Sequence, residues 1–260
     1  MKKFLQLSNG VALVAMLIIN YLATTGALNG RTVGSVSDQY QSLFTPAGYA
    51  FSIWSLIYIG LLAFVIYQGR SLFNSSADDE VVDQVGWWFV ITSIANILWI
   101  LTWIYDYTGL SILIMILLLY GLIRIIFRTN MEMDDAPMHR IAFVWWPFSL
   151  YSGWISVALF ANISAWLTKI EWQGLGVSEV GWTLFIIALV GIIHLTATWT
   201  RNLREFALVG TWGLVAVAVT NWGGVPVVAW ASLGVAVLLF ISSAIHGFKN
   251  RKSFPLSTES

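Results

Sequence analysis

Thr108–Phe127 reads TGLSILIMILLLYGLIRIIF, twenty residues whose one charge, Arg124, lies near the C-terminal end. About 20 mainly apolar residues are what a helix needs to cross a hydrocarbon layer of roughly 30 Å. The same pattern recurs through the chain. Gly10–Leu28, Gly48–Gln68, Gly86–Trp103, Thr108–Phe127, Ile141–Ala165, Val180–Trp199, Phe206–Trp222 and Val225–Ile245 all read as spanning helices. Only Gly223 and Gly224 separate the last two, with Pro226 just after. Gly tolerates positive φ and Pro starts a helix well, so a tight turn between two helices is expected rather than one long helix.

Composition agrees. Of the 260 residues 58% are hydrophobic and 10% charged, and mean hydropathy is +0.77. A soluble domain carries about 25% charged residues. The expected class is therefore an all-α polytopic bundle in a lipid bilayer. Thirteen basic and thirteen acidic residues balance to zero, so no bulk charge steers the chain to nucleic acid. With no cysteine, disulfides, thiolate metal sites and cysteine nucleophiles are excluded. Three scattered histidines, His139, His194 and His246, read as interfacial or packing residues, and no metal site is expected.

Charge placement tests the helix count. With a cytoplasmic N-terminus, the inner side holds Lys2, Lys3, Arg70, Arg124, Arg128, Arg140, Arg201, Arg204, Lys249, Arg251 and Lys252. The outer side holds Arg31 and Lys169. The positive-inside rule expects such asymmetry for an even number of spans with both termini inside. A rival reading makes Lys2-Lys3, the apolar run and Ala23–Ala27 a signal peptide. The apolar run is long for one, and Asn20 interrupts it. The acidic Asn74–Asp83 stretch, with Asp78, Asp79, Glu80 and Asp83, reads as a solvated loop. The polar end of the chain reads as a frayed tail over 249–260.

No Asp, Glu, Lys or Arg stands mid-helix, and Arg124 can snorkel. Ion-coupled transporters need such charges, and no repeat marks an inverted-repeat transporter. No acid–base pair, triad or ligand cluster marks an enzyme, so no catalytic residue is expected. The buried polar groups are amides: Asn20, Asn96 and Asn162. An unpaired amide is costly in hydrocarbon, so each is expected to face the bundle interior, bonded to another helix or to a ligand.

Fifteen tryptophans are many for 260 residues. Trp87, Trp88, Trp103, Trp145, Trp146, Trp166, Trp172, Trp182, Trp199 and Trp222 lie near helix ends and read as interfacial belts. Trp54, Trp99, Trp154, Trp212 and Trp230 read as deeper, packing the bundle or lining a cavity. Asn96, Trp99 and Trp103 share a helix face by i, i+3, i+7 spacing, and Phe51, Trp54 and Tyr58 make a similar stripe. Core packing is the default reading of such stripes. On the fifth helix Ser149, Gly153 and Ser156 lie near one line and Ala158, Ala161 and Ala165 near another, which suits a close helix pair.

Phe44–Tyr58, with Pro46, Phe51, Trp54 and Tyr58 in order, resembles the start of helix 2 in the TspO/MBR family, the tryptophan-rich sensory or translocator proteins. Asn96-Ile-Leu-Trp99 is similar to that family's Asn-x-x-Trp. Gly153-Trp154 through Ala158, with Ala161-Asn162, is similar to its helix 5. Tyr49 stands where the family often has Trp and Ala47 where it often has a second Pro. No sterol-recognition motif is clear at the end of helix 5. The resemblance covers residues 1–168. It implies a five-helix bundle, with 169–248 as a three-helix extension.

What the resemblance implies about function is binding of a planar lipophile of the porphyrin class, without a required cofactor. The ligand would lie between helices 1, 2, 3 and 5 under the Asn29–Ala47 loop. Pro46, Phe51, Trp54, Tyr58, Asn96, Trp99 and Trp154 are the expected binding residues, with Asn96 offering an amide hydrogen bond. The expected partners are the bilayer, this ligand and a further copy of the chain, and the expected location is a bacterial plasma membrane. A permease subunit for a neutral solute and a non-catalytic scaffold are the alternatives.

Overall fold

The computed structural model describes residues 1–74 and 80–250. Among these residues the structure is helical, and its eight long helices correspond to the eight segments read from the sequence. They are α1 (Lys2–Thr24), α2 (Ile53–Gly69), α3 (Trp88–Ile104), α4 (Thr108–Arg128), α5 (Trp146–Lys169), α6 (Glu179–Arg201), α7 (Arg204–Asn221) and α8 (Pro226–Asn250). By length and composition six are long and apolar enough to cross a membrane: α1, α4, α6, α8, and α2 and α5 with their flanking turns. The apolar α3 is shorter.

The boundaries moved for local reasons. α1 begins at Lys2, not Gly10, because its polar first turns find partners. Asn9 Nδ2 donates to Gln68 Oε1 at 2.9 Å and Gln6 Nε2 to the Gln68 carbonyl at 2.6 Å. α1 stops at Thr24, before Gly26, Asn29 and Gly30, all at positive φ. α2 is entered through a 3₁₀ turn, Gly48–Ser52. α5 is entered through a π turn, Ile141–Trp145. Pro147 has no N–H to give four residues back, and a wider turn accommodates that loss.

The first five helices close into a ring in which α1 touches α2 and α3, α3 touches α4, α4 touches α5, and α5 touches α2. α7 packs on α5 and on the Gly48–Ser52 turn, and α6 and α8 pack on α7. Gly153 is the point of closest approach between α5 and α7: a Cβ there would stand 2.8 Å from the Phe206 carbonyl oxygen. The small-residue line on α5 thus serves a close helix pair. His194 of α6 ties α6 to this same pair, with Nδ1 donating to the Phe206 carbonyl of α7 at 3.0 Å and Nε2 3.0 Å from Ser156 Oγ of α5. The main core runs through the ring and on into Leu203, Phe206, Val209 and Ala216.

Large apolar side chains cover the outward faces, for example Leu7, Val11, Val14 and Ile18 on α1 and Leu110, Leu113 and Leu117 on α4. Such a surface suits lipid. Charges gather at the two ends of the bundle. At one end Lys2 pairs with Asp83 (3.1 Å), Arg140 with Glu80 (2.8 Å) and Arg204 with Glu132 (3.9 Å). The stretch read as a solvated loop is thus partly structured: Glu80–Val85 is a short helix held by the first two of these pairs. Asp78 and Asp79 lie outside the described residues, as do Arg251, Lys252 and most of the tail.

At the other end Asp106 lies 3.9 Å from Arg31 and 3.0 Å from Lys169, the two basic residues read as outer. Burial alone would raise the Asp106 carboxyl. Hydrogen bonds from Lys169 and Tyr40 and the charges of Lys169 and Arg31 outweigh that, so its pKa is lowered.

Three tryptophans depart from their expected places. Trp103 and Trp145, read as belt residues, are buried. Trp230, read as deep, is 63% exposed and faces away from the bundle, its ring 5.2 Å from Trp222. Both faces of a lipid-embedded helix are apolar, so depth along the sequence does not report direction.

Candidate functional site

A cavity lies inside the ring at the Asp106 end. Its walls are Trp54 of α2, Trp99 and Trp103 of α3, and Trp154, Val157, Ala158, Ala161 and Asn162 of α5. Val33, Ser37, Pro46 and Phe51 of the loop after α1 close it. This loop carries a short helix, Val33–Gln39, fixed at its start by a reciprocal Thr32–Ser35 capping box. Trp103 Nε1 donates to the Val33 carbonyl at 3.1 Å, joining loop to wall.

The rings form a layered stack. Tyr58 and Trp54 lie 5.4 Å apart at 25°, Trp54 and Trp99 6.1 Å apart at 27°, and Trp99 and Trp103 6.5 Å apart at 23°. Trp154 meets Trp54 edge-on at 6.5 Å and Phe51 at 6.2 Å. The i, i+3, i+7 spacing on α3 and the stripe on α2 bring these planes together. The cavity measures about 490 Å³ including its open mouth, and the side chains leave little free space inside it. The rings largely fill the cavity themselves, and a flat ligand of tetrapyrrole size requires them to part.

Polar groups behind the wall are satisfied by each other. Tyr58 hydroxyl donates to Asn20 Oδ1. Asn20 Nδ2 donates to Asn96 Oδ1 at 2.8 Å, and Asn96 Nδ2 donates to Tyr151 hydroxyl at 2.9 Å. Trp99 Nε1 donates to Asn162 Oδ1 at 2.9 Å, and Asn162 Nδ2 to Ser111 Oγ at 2.9 Å. Each of the three asparagines therefore faces inward and links helices. Trp154 differs: its ring is 1% exposed, and its buried Nε1–H meets no acceptor.

Of the residues singled out in the sequence, Pro46, Phe51, Trp54, Trp99 and Trp154 line the cavity. Tyr58 backs the stack instead. Asn96 is fully buried with both amide atoms engaged, and does not line the space. Helix α1 contributes no lining side chain. Trp103, Ser37, Ala158 and Ala161 also line the cavity without having been expected there, and Asn162, expected to bond a helix or a ligand, lines it too. The shared face with Asn96 and Trp99 was the signal for Trp103, and the two alanines marked a wall thin enough for close approach.

A larger depression, about 990 Å³ including its open mouth, lies outside the ring, beside the loop and α6, with Ser42, Trp172, Glu179 and Trp182 in its lining. It contains none of the stacked rings. Among the described residues no group of three His, Asp or Glu is placed to hold a metal ion.

A ring of five apolar helices with an indole-lined cavity, packed against three further helices, defines an integral membrane protein of helical-bundle architecture. The family model described as TSPO-like protein matches residues 6–245, and the chain belongs to that family. The match runs through all eight helices, so α6–α8 fall inside it. No curated protein and no solved structure matches the chain.

Proposed function

We propose that the chain is a receptor for a planar lipophilic ligand of the porphyrin class, held between the parted rings of Trp54, Trp99, Trp103 and Trp154, with no catalytic step. The observation that carries this reading is the layered stack of indole planes beside a buried Trp154 Nε1–H that lacks an acceptor. Stacked faces suit a flat polarizable molecule, which gains contact area at little entropy cost. A carbonyl or carboxylate on that molecule would accept from Trp154. An unpartnered buried donor costs about 1–3 kcal/mol, and a ligand acceptor would recover it.

All eight long helices cross the membrane in this reading, α3 and α7 included, and both termini face the cytoplasm where the basic residues gather. Protoporphyrin titrated into the purified protein should quench tryptophan fluorescence saturably. A variant with Trp54, Trp99 and Trp154 all changed to Phe should lose that binding, and undiminished affinity there would reject the site. Flux of the same probe into proteoliposomes separates a carrier from a receptor.

A further inference from the structure

The segment from Leu43 to Phe51 has two faces. Pro46 and Phe51 point to the cavity. The residues between and before them are tied to the last three helices. Phe44 is 1% exposed and belongs to a second core with Val157 of α5, Ile187 of α6, Leu214 of α7 and Val228 of α8. The Ala47 N–H donates to the Ala216 carbonyl of α7 at 3.1 Å. Trp212 Nε1, also on α7, donates to the Ala50 carbonyl at 3.1 Å. Asn221 Nδ2 at the end of α7 donates to the Leu43 carbonyl at 2.8 Å, and the Leu43 N–H reaches Glu179 Oε1 of α6 at 3.1 Å.

These nine residues therefore seat one aromatic anchor, Phe44, in the core shared with α6–α8, exchange four hydrogen bonds with α6 and α7, and present Pro46 and Phe51 to the cavity. We propose that α6–α8 position the cavity roof, with Trp212 and Asn221 setting ligand access although neither lines the cavity. The proposal deepens the receptor reading above. The departure at Ala47 has a reason here: a proline has no N–H to give to Ala216. The cavity in its closed form is nearly filled, so entry requires the roof and the rings to move apart, and these ties oppose that movement. α7 bonds both flanks of the roof, at Leu43 on one side and at Ala47 and Ala50 on the other.

The test uses the full chain in nanodiscs. Because the protein has no cysteine, Ser37→Cys places a single thiol in the cavity lining, and its reaction with a water-soluble maleimide reports roof opening without any ligand. Ser93→Cys, at a buried position of α3, reports general loosening. Trp212→Phe keeps a ring and removes one tie. Ala47→Pro removes another, and the φ of −58° at Ala47 is one that proline adopts.

Each variant should speed labelling at position 37 by about three- to tenfold, the factor that one lost hydrogen bond gives an opening equilibrium. Position 93 should be unaffected. Unchanged labelling at 37 in both variants overturns the proposal, and so does equal acceleration at 37 and 93. Protoporphyrin should slow labelling at 37 in the otherwise unaltered protein. If it does not while the variants still accelerate labelling, the ligand reading fails and the roof assignment stands.

Discussion

Gly153 of α5 and Phe206 of α7 approach so closely that one added carbon at Gly153 would lie 2.8 Å from the Phe206 carbonyl oxygen and 3.1 Å from its Cα. The obstacle is backbone, which cannot rotate aside. Gly153→Ala should therefore push α7 from α5 and lower stability by about 1–3 kcal/mol, the usual cost of overpacking. Gly234→Ala on α8 meets nothing within 4 Å and should be neutral or slightly stabilising, since Ala is the better helix former. Thermal unfolding of the two variants in one detergent makes the comparison.

Asn96 joins Asn20 and Tyr151 across three helices. Asn96→Ala leaves both partners buried without it, at a cost of about 1–3 kcal/mol. Because Asn96 does not line the cavity, affinity for protoporphyrin in the folded fraction should change less than about twofold, a free-energy difference of under ~0.5 kcal/mol. A lowered melting temperature with retained fluorescence quenching is the expected pair of results. Loss of affinity with full stability would make Asn96 a ligand contact after all.

Trp154 predicts the opposite pair. Its Nε1–H has no partner to lose, so Trp154→Phe should cost only packing volume, and removing an unpaired donor offsets part of that. Ligand affinity should fall about five- to tenfold, the scale of one hydrogen bond of about 1–1.5 kcal/mol. Equal affinity in titration calorimetry would mean that no acceptor reaches the indole.

At the end of the bundle opposite the cavity, Glu132 lies in the α4–α5 loop. Burial and the neighbouring Glu205 charge raise its pKa to about 7, against the opposing pull of Arg204. A carboxyl with a raised folded pKa favours the folded state in its protonated form. Its contribution is full below the unfolded value and is lost as pH rises to about 7. Wild-type stability should fall by about 1–3 kcal/mol across that window. Glu132→Gln, unable to ionise, should flatten the profile and be the more stable protein at pH 8. Melting temperatures taken from pH 4.5 to 8 check this, and parallel profiles would count against it.

The readings from sequence succeeded where the signal was polar or was a length. Eight apolar segments became helices, six of them long and apolar enough to cross a membrane with their flanking turns. Asn20, Asn96 and Asn162 were expected to face inward and do, because an amide has no partner in lipid. Trp54, Trp99 and Trp154 meet as their helical spacing allowed. Readings failed where the side chain was apolar: Trp103 and Trp145 turned inward and Trp230 turned outward.

The solvent, the helices and the inward amides are legible in the order of residues alone. Which apolar face of each helix turns to a neighbour, how α7 seats on Gly153, and how α6–α8 hold the loop over the cavity were decided only in the tertiary structure. Lipid and protein interior are both apolar, so hydrophobicity cannot choose between them, and the choice falls to shape and hydrogen bonding between segments distant in the chain.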